Sequence, residues 1–266
     1  MRSRALAAAV CLILISAGRV CAQAPDTVLL EELTWTELRD LIAAKSTTII
    51  VPVGGTEQNG PHMTLGKHNT RVKVLSEKIA RAVGNTLVAP VVAYVPEGAL
   101  SPATGHMRFP GTITMPSETF QHVLEYAARS LKAHGFRDIV FLGDHGGTQA
   151  DQKAVAVRLN REWGAAAARA HSIDEYYQAA AVEYPRLLKA RGYRDDEIGS
   201  HAGLADTSLM LAVDPRMVRS PRAAPAQGVS GVSGDPARAS AELGQAGVEM
   251  IVTRTAEAVR KSMARR

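Results

Sequence analysis

The sequence predicts an α/β protein in three layers, α/β/α, around a mostly parallel central sheet. Short β-branched apolar runs recur between longer segments whose apolar residues fall at helical spacing. Those runs are apolar throughout rather than alternating, as strands covered on both faces are. Polar, glycine-rich segments follow two of them directly, the position at which open α/β sheets gather their ligands.

Taken along the chain, 47–53 (TTIIVPV), 86–95 (TLVAPVVAYV) and 138–142 (DIVFL) read as buried strands. Between them, 71–83 and 117–134 read as helices, the second stopped by Gly135. Further helices are expected over 149–163 and 237–261. The stretch 221–235, rich in Gly, Ser and Pro, reads as a surface loop. No internal repeat or long low-complexity tract interrupts this order, so 23–266 is expected to form one domain.

Residues 1–22 are set apart. Arg2 and Arg4 precede an unbroken apolar run over 5–17, and Val20-Cys21-Ala22 offers small residues for cleavage. The run is too short for a stable bilayer anchor, so it reads as a secretory signal peptide, with a periplasmic or secreted product and no membrane association after cleavage. Cleavage removes three arginines and no acids, leaving 28 of the 31 basic residues against 26 acidic ones. The near balance gives no footprint for a nucleic-acid partner. Both cysteines, Cys11 and Cys21, leave with the leader, which excludes thiolate chemistry and a disulfide framework in the mature chain.

Four segments carry groups suited to metal or acid–base work. The first, 53–69, holds Glu57, Asn59, His62 and His68 among glycines that permit tight turns. The second, Leu142-Gly-Asp144-His145-Gly-Gly, places a histidine at a strand end, with Asp144 beside it as a polarising acid. The third, Ser200-His201-Ala-Gly-Leu-Ala-Asp206-Thr-Ser, adds a histidine and an acid that also suits a helix N-cap. The fourth, Gly105-His106-Met-Arg-Phe-Pro-Gly-Thr112, offers a histidine in a turn that reads equally well as a rigid corner.

In this order the four segments resemble the creatininase (creatinine amidohydrolase) family, whose pattern runs Gly-x-x-Glu-Gln-His-Gly-x-His, Asp, His-Gly-Gly-Asn, then His-Ala-Gly-x-x-Glu-Thr-Ser. The resemblance spans about 35–211 and includes Phe-Pro-Gly-Thr at 109–112. It implies an α/β fold of that family, hydrolysis of cyclic or linear amides, bound divalent metal, and a homo-oligomer, often a hexamer. Glu57 and His145 fall on metal ligands of the family, and His201 on its proton-handling histidine. Asp206 replaces the usual glutamate. Asn59 stands where the family has a ligand histidine, and His68 where it has a metal-bridging aspartate. His145-Gly146-Gly147 also lacks an acid that creatininase places two positions after the histidine.

An amide oxygen is a poor zinc ligand, and a neutral imidazole cannot bridge two metals. These changes lead us to expect one divalent metal per chain, zinc first with manganese or iron(II) as other occupants, held by Glu57, His68 and His145. The expected function is hydrolysis of a C–N amide bond in a small molecule by metal-activated water. His201 and Asp206 are expected to move protons, with Glu57 an alternative base, while His106, Asn59 and Asp144 face the substrate. An exported binding protein that keeps the fold without the catalysis is the other reading.

Overall fold

The computed structural model describes residues 25–164, 168–219 and 231–265. The expected leader and most of the expected loop at 221–235 lie outside these residues. Four strands, β1 (Thr48–Val53), β2 (Thr86–Val88), β3 (Asp138–Gly143) and β4 (Arg169–Ser172), pair in the order β2-β1-β3-β4. Every pairing is parallel.

Helices cover both faces. In chain order they are α1 (Trp35–Ala43), α2 (Lys67–Val83), α3 (Ser117–Ala133), α4 (Gln149–Trp163), α5 (Asp174–Gln178), α6 (Tyr184–Ala190), α7 (Asp195–Ile198), α8 (Leu204–Val213) and α9 (Ala241–Met263). Successive residues of β1 point to opposite faces. Ile50 packs with Val72, Leu75, Leu209 and Ile251 of α2, α8 and α9. Ile49 and Val51 pack with Phe120, Leu124, Val155 and Leu159 of α3 and α4. Two apolar cores, one per face, explain why the strands are apolar at every position. No helix among the described residues is long and apolar enough to cross a membrane.

The structure departs from the sequence expectations at defined places. The run 86–95 is laddered only over β2, after which Val92 and Val95 make single bridges to Val53 and Thr114. Pro90 lacks the N–H that a continuing ladder needs. Edge strand β4 was not expected because its sequence, RAHS, contains no apolar run. Helix α2 starts at Lys67, which puts His68 in its first turn rather than in the preceding loop. The capping box that opens α1 is visible in hindsight: Thr34 Oγ1 accepts from Glu37 N at 3.3 Å, and Glu37 Oε2 accepts from Thr34 N at 2.7 Å. The end of the expected surface loop is interior. Val232 is buried and Ser233 bridges to His201 and Ala202.

Two contacts fix the C-terminal helix. Buried His171 of β4 joins Asp138 Oδ1 of β3 at 3.0 Å to Ser262 Oγ of α9 at 2.7 Å. At its other end α9 lies against α8, and a Cβ added to Gly244 would sit 1.8 Å from Ser208 O. Because α8 carries Asp206, this close approach also sets one wall of the site described below. Gly244→Ala should therefore push the two helices apart, destabilising the fold by about 1–3 kcal/mol as an overpacked core does. A urea unfolding midpoint unchanged from that of the wild type would show that α8 and α9 are not so tightly docked.

Candidate metal centre

β1 and β3 lie side by side in register, with Val53 opposite Gly143. The segments leaving them therefore emerge together, and Asp144 N donates to Val53 O at 2.9 Å. This is how Glu57 and His145 meet despite their distance in sequence. A third segment arrives from the β2 side. Gly54 N donates to Val92 O at 3.0 Å, Glu97 N to Thr114 Oγ1 at 2.9 Å, and His106 N to Glu97 O at 3.2 Å. Glycine allows the approach: a Cβ at Gly55 would lie 2.8 Å from Glu97 Oε1.

The result is a cluster of Glu57, Glu97, His106 and His145 whose candidate ligand atoms all lie within 4.8 Å of one another. His145 Nε2 is 3.3 Å from both Glu57 Oε2 and Glu97 Oε2, and His106 Nε2 is 3.1 Å from Glu57 Oε2. Glu57 and Glu97 are buried, yet Glu57 Oε2 and both oxygens of Glu97 have no hydrogen-bond partner among the described residues. Burial, reinforced by the neighbouring charge of Glu57, pushes the Glu97 carboxyl up to about 9. Burial also opposes the charge on Glu57, but the adjacent imidazoles of His145 and His68 outweigh it and hold that carboxyl far below the usual range. One of two facing acids is thus forced to keep a proton. A divalent cation at that point satisfies both acids, and a set of carboxylates and imidazoles suits zinc or manganese. The residues present fit a metal.

Glu57, His68 and His145 do converge, as expected from the sequence. His68, however, is held between acids: Nε2 lies 2.7 Å from Glu57 Oε1 and Nδ1 2.5 Å from Asp144 Oδ2, so neither nitrogen is free to face a cation. Glu97, which sequence reasoning did not single out, takes its place in the cluster. His106, expected to face the substrate, joins the cluster from the rim, where Gln58 Nε2 lies 3.0 Å from its Nδ1. Asn59 is turned away from the cavity. Its Nδ2 donates to Glu57 O at 2.9 Å and Thr64 O at 3.1 Å, which shapes the turn after Glu57. Asp144 lies behind His68, where it accepts from Arg71 Nε at 2.9 Å and from Tyr176 Oη at 2.6 Å.

A cavity of about 340 Å³ opens beside the cluster, lined by Glu57, Lys67, His145, Tyr177, His201 and Asp206 among others. Small apolar residues, Ala180, Ala181 and Pro185, form another part of its wall. His201 Nε2 lies 3.0 Å from Gln58 O and 3.2 Å from Gln58 Nε2, while its Nδ1 is 3.8 Å from Glu57 Oε1. Burial, with Lys67 nearby, pulls His201 down to about 4. Asp206 is gripped by Arg71 Nη1 at 2.7 Å, Lys67 Nζ at 3.0 Å and Ala202 N at 3.0 Å. Those two cations overcome its burial and keep it ionised.

Comparison with known proteins agrees with this architecture. The creatininase family model, described as creatinine amidohydrolase, matches residues 31–259. Creatinine amidohydrolase of Pseudomonas putida is 27% identical over 195 residues, covering 72% of this chain and 74% of that protein. A mycofactocin precursor peptide peptidase of Mycolicibacterium smegmatis is 32% identical over 205 residues, covering 74% of this chain and 78% of that one. A solved manganese creatininase superimposes with a TM-score of 0.70 at 26% identity, covering 89% of this chain and 98% of its own, and another solved creatininase is of a zinc–zinc type. With a sheet, a site and a family model that agree over most of its length, this chain belongs to the creatininase family.

Proposed function

We propose that this protein is an exported, metal-dependent hydrolase of C–N amide bonds in a small molecule, with one divalent cation per chain. The observation that carries the reading is the pair of buried acids, Glu57 and Glu97, facing each other and His145 with three carboxylate oxygens unpaired. Glu57, Glu97 and His145 would hold the cation, with His106 beside them at the rim. When bound, a divalent cation there lowers the pKa of water and polarises a carbonyl group. Zinc is the first candidate, with manganese or iron(II) as other occupants.

The remaining roles fall to the chain itself. His201 is neutral at pH 7 and presents Nδ1 toward Glu57, so it can take a proton from the attacking water and return it to the departing nitrogen. Asp206 is held ionised by Lys67 and Arg71, which unsuits it as a proton donor. It instead fixes the cavity floor. Tyr177 and the apolar wall at Ala180, Ala181 and Pro185 limit water around the substrate. A second metal finds little support, because Asn59 offers only an amide oxygen, a poor zinc ligand, and Gly147 has no side chain. The leader-like sequence at 1–22 supports export to the periplasm or beyond. Exposed Trp35, Tyr94 and Leu100 are suited to contacts in a homo-oligomer, for which the family resemblance suggests a hexamer.

Elemental analysis of purified protein should find about one divalent ion per chain, and Glu97→Ala or His145→Ala should abolish it. About two ions per chain, or full metal content in Glu97→Ala, would remove the ligand assignment. Assayed against lactams, formamides and short peptides, the metal-loaded protein should hydrolyse one class, and His201→Ala should lower kcat about 10²–10⁴-fold while leaving metal content intact. Metal-replete protein that binds members of the panel without cleaving any would instead favour a binding protein.

A further inference from the structure

We infer that Lys67 is a catalytic residue of this site, its ammonium taking up the negative charge that develops on the carbonyl oxygen of the scissile amide. The inference rests on the hydrolase reading above and adds a residue to it. Lys67 is the first residue of α2, and its side chain is only 1% exposed. Both facts are unfavourable. A lysine is rarely buried, and a cation at a helix N-terminus opposes the helix dipole.

The usual structural reason for such a charge, holding an acid ionised, is met at Asp206 but uses only one of its donors. Lys67 Nζ touches Asp206 Oδ2 at 3.0 Å and stands 3.7 Å from Glu57 Oε1. Each of those acids already has another partner. Asp206 is bound by Arg71 and by the Ala202 amide, and Glu57 Oε1 by His68. Of three N–H donors on the ammonium, one is spent on Asp206, and Glu57 is beyond hydrogen-bond range for the others. Lys67 is among the residues that line the cavity, which places its ammonium beside the space a substrate would fill.

Position supports the same role. The metal-type cluster gathers on Glu57 Oε2, while Lys67 stands on the Oε1 side of that carboxylate. A carbonyl lying across Glu57 therefore has the ammonium on one side. In the reaction, water oxygen bonds to the carbonyl carbon and the C=O π pair moves onto oxygen, facing Lys67. That pair then re-forms the C=O bond as the C–N bond breaks, and the nitrogen takes the proton that His201 removed from water. Water thus supplies OH to the acid product and H to the amine. The ammonium exchanges no proton in these steps and acts as a fixed, prearranged charge.

The test uses the full metal-loaded protein and the best substrate of the amide panel. Lys67→Met should lower kcat about 10²–10³-fold, the cost of losing one oxyanion donor, with KM and metal content within about twofold of wild type. A phosphinate analogue of that substrate, whose anionic oxygen mimics the developing charge, should bind the variant about 10²-fold more weakly by calorimetry. Lys67→Ala should regain about tenfold or more of its lost turnover on adding ethylammonium, which also decides the matter if the methionine variant does not fold. Lys67→Met with about a third or more of wild-type kcat overturns the inference while leaving the hydrolase reading intact. Metal lost together with activity would also overturn it, since Lys67 would then be supporting the cluster. Wild-type protein inert on the whole panel would sink both readings.

Discussion

Like charges in a dry interior cannot both persist, and the facing acids Glu57 and Glu97 are the point from which the rest of this site is organised. A carboxylate buried without hydrogen bonds carries a desolvation cost of several kcal/mol, so the pair must share a proton or a cation. Among the described residues little relieves the strain on Glu97, whose oxygens make no hydrogen bond there. Evolution towards a stable core alone would remove such a group. Its place in the segment after β2, opposite His145, gives the centre a physical demand for positive charge.

The surrounding acids are treated differently. Asp144 and Asp206 are both held by Arg71, and Asp206 by Lys67 as well. Tyr176 adds a donor to Asp144, and Ala202 N one to Asp206. This fully bonded layer lies behind and below the cluster and fixes His68, which in turn orients Glu57. Satisfied polar networks of this kind are rigid, whereas a half-satisfied one is costly. The contrast separates a scaffold of paired charges from an incomplete set of ligands.

Much of this was legible in the sequence. The runs at 47–53 and 138–142 were recognisable because burial on both faces removes the alternation of a half-exposed strand, and they match β1 and β3 closely. Their glycine-rich exits identified Glu57 and His145, and parallel pairing in register makes those exits adjacent. Glu97 escaped notice because Pro96-Glu-Gly98 reads as a surface turn, although an acid two positions after the apolar run VVAYV was a usable signal. His68 was placed in a loop rather than a helix for a different reason. Helical spacing in apolar residues begins only at Arg71, so the first turn of α2, built from polar residues, looked like loop. Its partner Asp144 lies 76 positions away, and that pairing depends on how α2 packs on β3, which no local pattern encodes.

The same logic explains how this member of the family departs from the metal-binding pattern it resembles while keeping a cluster of acids and histidines. Strand ends of a parallel sheet fix Glu57 and His145, because moving either requires breaking the β1–β3 register. Groups reaching in from the turn after Glu57, from the start of α2 and from the segment after His145 are not so constrained. There the chain carries Asn59 on backbone carbonyls, His68 between acids and a glycine at 147. Glu97 and His106, tied to each other by a backbone hydrogen bond, supply ligand atoms from the β2 side instead. Permanent cations at Lys67 and Arg71 then neutralise the acids on the other side of Glu57, so positive charge surrounds that carboxylate from two directions, one fixed by side chains and one open to a metal. A centre arranged this way keeps its electrostatic demand at the cluster while changing the residues that surround it.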